Sequence, residues 1–260
     1  MKINWLKPLI SGLKFSVNPE RWLPFFALYL GTFGMFVGIV FLNLEYINLL
    51  FKFIFQSENI SLIFLLPKLV LIFFEVLIVW IIFIFIDLWI KGSVIHQSYK
   101  GKEFKKSWKV SRKKYWSLFG VMVLIGVINF IAGLIPYLNL ALSLIISWVF
   151  FFPYQEVIIK SSNFYDALRN SLEMFKKKPL EIFIIWFLIS ITFFIISFIF
   201  SLPLLLILGS FLLNQISSAL FMVYLPSFII FGTIALIGFS ISRTFFLKAQ
   251  TEFYLQIKKK

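Results

Sequence analysis

The chain has 260 residues, of which 61% are hydrophobic and 36 are Phe, and a mean hydropathy of +0.97 excludes a water-soluble globular domain. Only 14% of residues are charged, where a soluble domain carries about a quarter, and the net charge of +14 sits beside apolar spans rather than in a separate basic domain. That placement excludes nucleic acid as the expected partner and points to the bilayer and its anionic lipid head groups; the absence of cysteine excludes disulfides and thiolate metal sites.

Crossing about 30 Å of hydrocarbon takes about 20 apolar residues, and runs of that length predict six transmembrane helices. The first, Trp22 to Leu42, follows a tail bearing Lys2, Lys7, Lys14 and Arg21 and lacks a small-residue cleavage site, so it reads as a retained helix. Glu45, Lys52 and Glu58 then mark a polar break that Phe51, Phe53 and Phe55 place at the membrane surface; Asn59-Ile60-Ser61 within it fits the N-glycosylation triplet. The second span runs from Leu69 to Ile90, followed by the basic stretch Lys91 to Lys114. Spans from Trp116 to Ile135 and from Tyr137 to Val157 are joined so tightly around Pro136 that they must be antiparallel. After Lys160 to Pro179 come Leu180 to Leu206 and Ala219 to Phe246, with Pro203 and Pro226 as kink sites.

Of the 25 Lys and Arg residues, 23 fall in the two tails and in the second and fourth loops; only Lys52 and Lys68 lie in the alternate ones. The positive-inside rule then places both termini in the cytoplasm of a multi-pass protein of the cell membrane.

Each cytoplasmic segment leading into a pair of spans has the same make-up: an amphipathic stretch, a basic or proline-bearing corner, then the membrane. Ser107 to Lys114 matches Ser171 to Lys178 at an offset of 64 residues. In the first copy Asn4, Lys7, Ser11, Lys14 and Asn18 share one helical face and Leu6, Leu9, Ile10 and Leu13 the other, an interfacial pattern. The second sets Phe104, Trp108, Ser111 and Tyr115 against the membrane, and the third Phe164, Leu168, Leu172 and Phe175, with Asn163 as N-cap and Asp166 in the first turn. The expected fold is therefore all-α: a single integral membrane domain, 1–260, of six helices in three hairpins, with three amphipathic interfacial helices on the cytoplasmic side and repeats over 1–66, 100–160 and 161–246. The outward cations Lys105, Lys106, Lys109, Arg112, Lys113, Lys176, Lys177 and Lys178 are the expected contacts to anionic lipid.

Chemistry-bearing residues are few. A lone histidine, His96, in the basic loop reads as a solvated side chain, and no metal site, cofactor site, phosphate-binding loop or nucleophile elbow is present in the pattern. A carboxylate at membrane depth is costly, which singles out Glu75; Lys68, seven residues earlier, lies on nearly the same face and either snorkels outward or bends toward it. Asp87, Glu156 and Arg243 fall at the cytoplasmic ends of their helices, as an ion-pair cluster or as solvated residues. Gly31, Gly34 and Gly38 of the first span, and Gly126, Gly133 and Gly232 of later ones, suit close helix packing. Asn129 and Asn139, with Ser143 and Ser147, supply interhelical hydrogen bonds or line a narrow polar path.

In one segment Glu156 ends the fourth span, and Ala167-Leu168-Arg169 with Ser171 follows about ten residues later on a helix. That pattern resembles a broad family of prokaryotic six-helix membrane proteins: the membrane domain attached to some glycerophosphodiester phosphodiesterases, together with stand-alone relatives. The resemblance implies the six-helix fold over nearly the whole chain. It implies no hydrolytic chemistry, since 260 residues so filled with spans hold no phosphodiesterase domain. The expected function is therefore non-enzymatic: an integral membrane protein that binds anionic lipid, or a cytoplasmic or membrane protein partner, through its basic interfacial helices. The alternative is a small transporter or channel using Glu75 and the polar residues of the third and fourth spans.

Overall fold

In a computed structural model residues 4–55, 62–101, 104–213 and 218–258 are described; the triplet at Asn59 lies outside them. All regular structure among these residues is helical: α1 (Leu6–Ser16), α2 (Pro19–Leu42), α3 (Leu44–Phe55), α4 (Leu62–Lys100), α5 (Phe104–Lys113), α6 (Tyr115–Gly133), α7 (Asn139–Val149), α8 (Pro153–Lys160), α9 (Phe164–Lys177), α10 (Pro179–Leu213) and α11 (Ser218–Lys258). Six helical segments are long and apolar enough to cross a membrane: in α2, in α4, α6, the α7–α8 segment, α10 and α11.

Several boundaries differ from the sequence reading: α4 begins at Leu62 and α10 runs to Leu213, and three further differences shape the interior. The second span continues ten residues past Ile90, because Gly92, Ser93, Val94, Ile95, Gln97 and Ser98 are buried rather than solvated. The last continues past Phe246 to Lys258, with Phe253 and Tyr254 fully buried. The fourth is interrupted at Phe150–Phe152. Pro153 has no N–H to offer the carbonyl of Val149, and the freed backbone groups find side chains instead. Ser171 Oγ donates to Val149 O (3.4 Å), Phe152 N donates to Ser171 Oγ (3.3 Å), and Gln250 Nε2 donates to Phe151 O.

The chain divides into two compact units, 1–26 with 88–260, and 27–87. In the larger unit α10 packs along α11, α6 along α7, and α1 on the end of α11. Its densest part gathers Phe152, Ile182, Ile185, Ile189, Phe245, Phe253 and Tyr254, where the first turns of α10 meet the last turns of α11. Farther along these helices large apolar residues such as Phe194, Ile199, Ile229 and Ile230 are exposed. Polar residues behave oppositely: Ser93, Gln97, Ser107, Ser111, Gln155, Ser171, Gln250 and Thr251 are buried. Apolar outside and polar inside is the arrangement a lipid solvent demands of a bundle, because buried polar groups there still need partners.

The three amphipathic helices are present as α1, α5 and α9; α1 docks on α11 and α5 on α4 through small residues, and α9 packs on α8 and α6. On α1, Pro8, Gly12 and Ser16 are buried; a Cβ on Gly12 would lie 2.9 Å from the ring of Phe245 and 3.3 Å from Ala249. On α5, Ser107 and Ser111 are buried. Ser111 Oγ donates to Trp89 O of α4 (2.7 Å), Trp89 Nε1 donates to Trp108 O (3.2 Å), and the two indoles stack at 4.1 Å. Trp108 and Ser111, expected against the membrane, thus face protein. His96, expected in solvent, is half-buried with Nδ1 2.9 Å from Ser107 Oγ. On α9, Ala167, Leu168 and Ser171 are buried, Phe175 packs edge-on to Trp148 at 5.1 Å, and Asn163 caps the helix as expected, accepting from Asp166 N (2.8 Å). The side chain of Phe104 lies outside the description.

The smaller unit carries the deep carboxylate. Asn43, in the one-residue joint between α2 and α3, is 1% exposed; its Nδ2 donates both to Ile39 O (2.8 Å) and to Glu75 Oε2 on α4 (2.9 Å). Lys68 does not bend toward Glu75: its Nζ lies over the ring of Tyr46 at 4.9 Å, a cation–π contact. Tyr29 stacks on Phe83 at 6.1 Å.

Candidate functional site

The group with the most chemistry around it is Glu156, in the first turn of α8. Pro153 supplies the turn's preset φ, and the helix carries the carboxylate inward, where it is 1% exposed. A buried carboxylate must be hydrogen-bonded and paired. Three elements meet that demand: Tyr254 of α11 donates its hydroxyl to Oε1 (2.8 Å), Asn170 of α9 donates Nδ2 to Oε2 (3.2 Å), and Lys160, one turn along α8, stands 3.5 Å away. Lys258, one turn after Tyr254, donates to the phenol oxygen (2.7 Å) with its Nζ 3.9 Å from the carboxylate.

Each of these three helices ends in lysine: Lys160, Lys177 and Lys258. Cations suit helix C-termini, where the carbonyls point outward. Lys178, just past α9, donates to Ile257 O of α11 (3.2 Å). Between them lies a cavity of about 290 Å³ lined by Glu156, Lys160, Asn170, Glu173, Lys177, Lys178 and Lys258, with Met174 and Ile257. Four lysines face two carboxylates, and Glu173 already has Arg169 at 3.1 Å.

On the far side of α8, Gln155 Nε2 donates to Gln250 Oε1 (2.8 Å). At its end Lys114 Nζ donates to Ile158 O (2.8 Å) and Ser161 Oγ (2.7 Å). Burial holds the Lys114 ammonium below the usual lysine pKa. Lys114 therefore acts as a clasp on α8, unlike its neighbours Lys105, Lys106, Lys109, Arg112 and Lys113, all of which are exposed. Lys176 and Lys177 are exposed too; Lys178 is half-buried and turned to α11.

Glu156 is neither solvated nor an end-of-helix ornament. Arg243 is half-buried on α11, three turns before Tyr254, and Asp87 closes the smaller unit. Asn129 Nδ2 donates to Ile125 O of its own helix (3.0 Å), Asn139 Oδ1 accepts from the adjacent Leu140 N (2.7 Å), and Ser147 Oγ donates to Leu144 O (2.7 Å). Local bonds of this kind do not build a path between helices. A hydroxyl pair that does join two spans, Ser197 Oγ to Ser242 Oγ (2.9 Å) between α10 and α11, was not among the candidates. The glycine stripe is also corrected: a Cβ on Gly31, Gly34, Gly38, Gly126, Gly133 or Gly232 would meet nothing within 4 Å among the described residues. The tight glycines are Gly12, Gly92, Gly120 and Gly238, against Phe245, Ser111, Phe164 and Phe200.

Apolar helices of spanning length, lipid-like exposure of their flanks and polar residues gathered inside define a multi-pass α-helical membrane protein. No family model matches this chain, and neither does any curated protein or solved structure.

Proposed function

We propose that this protein is a non-enzymatic component of the cell membrane whose basic, surface-lying helices bind anionic lipid on the cytoplasmic side. The observation that carries this reading is the division of α5. One side is locked to protein through Ser107 and Ser111, while Lys105, Lys106, Lys109, Arg112 and Lys113 are all exposed. Cations near an anionic surface contribute about 1 kcal/mol each. α1 adds an exposed apolar edge, Leu6, Ile10, Leu13 and Val17, beside its polar face, the make-up of a helix lying in the interface.

The topology belongs to the same proposal: three hairpins, each introduced by one amphipathic helix, with both termini in the cytoplasm. Support comes from the small residues buried on each of α1, α5 and α9. Further support comes from the two ends of the chain, since Asn4 N donates to Gln256 Oε1 (3.0 Å) and ends that touch require an even number of crossings. The resemblance to the membrane domains of some glycerophosphodiester phosphodiesterases is proposed on the segment that builds the Glu156 site.

The test uses brominated lipids to quench the protein's tryptophans in vesicles. Anionic brominated phosphatidylglycerol should compete with phosphatidylcholine several-fold more effectively than expected from its mole fraction, and less so in Lys105→Gln/Lys106→Gln/Lys109→Gln or at high salt. Equal quenching by both lipids would defeat the lipid reading.

A transport role through Glu75 has one observation in its favour. Asn43 Oδ1 is buried without a hydrogen-bond partner among the described residues, a place for a proton on Glu75 or for water. Glu75→Gln would then abolish flux in proteoliposomes at unchanged folded yield; if flux is the same in both proteins, Glu75 is a structural anchor for the α2–α3 joint.

A further inference from the structure

We infer that the cavity between α8, α9 and α11 is a socket for one phosphate group. This rests on the lipid-binding reading and sharpens it, because it assigns a single discrete site made of residues other than those of α5.

The charge balance comes first. Glu173 is paired with Arg169, and Glu156 has Lys160 and Lys258 beside it, so Lys177 and Lys178 exceed what the two carboxylates need. An excess of two positive charges around a recess open on one side suits a phosphodiester or a phosphomonoester.

Donor supply points the same way. An ammonium has three N–H donors. Lys258 spends one on the Tyr254 hydroxyl and Lys178 one on Ile257 O, so donors remain on every lysine of the lining. Glu156 has a positioning role here: its carboxylate fixes two of the ammonium groups in advance, which lowers the cost of ordering long side chains around a ligand.

Size and depth fit a head group. About 290 Å³ is close to the lower end of small-ligand sites, roughly 300 Å³, enough for a phosphate with a short alcohol and too little for an acyl chain. The lipid-exposed flank begins immediately past Lys178 and Pro179, with Leu180 66% exposed. A phosphate in the socket therefore lies at the level where its chains would enter the apolar layer. A soluble phosphate ester offers the same group to the same lysines, and the experiment separates the two.

The full chain, purified in neutral detergent, is titrated with phosphatidylglycerol and followed by native mass spectrometry, with phosphatidylcholine as the reference. One phosphatidylglycerol per chain should be retained. Lys177→Glu reverses an exposed charge of the lining without touching the buried pairs and should weaken retention about tenfold. The double variant Lys160→Met/Lys258→Met should do the same, with its fold checked by circular dichroism. The α5 triple variant should leave this adduct unchanged, so loss of the surface preference and loss of the socket are distinguishable. Displacement by millimolar glycerol phosphate or inorganic phosphate would assign the socket to soluble phosphates, and retention against both would assign it to the lipid. Unchanged binding in Lys177→Glu, or equally tight phosphatidylcholine, would overturn the socket and leave the lysines as neutralisers of Glu156 and helix ends.

Discussion

Glu156 is where one side chain governs the most structure. Its carboxylate collects a phenol, an amide and two ammonium groups from three helices. The shortest of these contacts joins residues 98 positions apart. Hydrogen bonds to a charged group contribute about 1.5–3 kcal/mol. Tyr254→Phe, which removes only the hydroxyl, should therefore destabilise the protein by about 2 kcal/mol and lower its thermal unfolding midpoint in detergent. Tyr165→Phe, on an exposed ring of α9, should leave the midpoint where it is. Equal midpoints for Tyr254→Phe and the parent would show that the carboxylate is held by the lysines alone. Nothing local announces this site in the sequence. Glu156, Asp87 and Arg243 share the same signal, a charge at the end of an apolar run, and what separates Glu156 from a solvated residue is the long-range approach of Tyr254 and Asn170. Glu75 was conspicuous for its depth, yet its hydrogen-bond partner, Asn43, sits in a joint between helices that no periodicity marks.

Helices show the same contrast between local and distant causes. The spans were legible because a run of apolar residues long enough for the bilayer is a local property. The ends of α4 and α11 were not, since Gln97, Ser98, Gln250 and Thr251 read as loop or tail until their burial is known. The amphipathic stretches were legible as helices, and the capping Asn163 marked the start of α9. Their docking faces were missed, because Pro8, Gly12, Ser107, Ser111 and Ala167 are small residues that carry little weight in a hydrophobic pattern. Glycine spacing misled for a related reason: Gly34 and Gly38 meet the motif and no neighbour among the described residues, whereas the isolated Gly12 touches Phe245. A side chain at Gly12 must push α1 off α11, and overpacking of this kind costs about 1–3 kcal/mol. Gly12→Leu should therefore make the start of α1 accessible to protease, while Gly34→Leu leaves the digestion pattern unaltered. Resistance of α1 in Gly12→Leu would refute the docking described for it.

At the scale of the molecule, the larger unit joins a belt of exposed apolar residues to a base of buried polar groups bordered by lysines. The belt follows from composition; the base depends on which helices extend beyond the apolar runs and what they meet there. Charge asymmetry is the ground for proposing that this base faces the cytoplasm, and the proposed binding of anionic lipid on that side depends on it. The absence of cysteine allows single cysteines to report it in whole cells with a maleimide that cannot cross membranes. Lys109→Cys and Lys176→Cys sit on exposed positions of α5 and α9, and Tyr137→Cys at a fully exposed turn between α6 and α7. The account predicts that Tyr137→Cys is labelled in intact cells, and Lys109→Cys and Lys176→Cys only after the cells are broken. Labelling of either α5 or α9 from outside, with Tyr137→Cys protected, would contradict it.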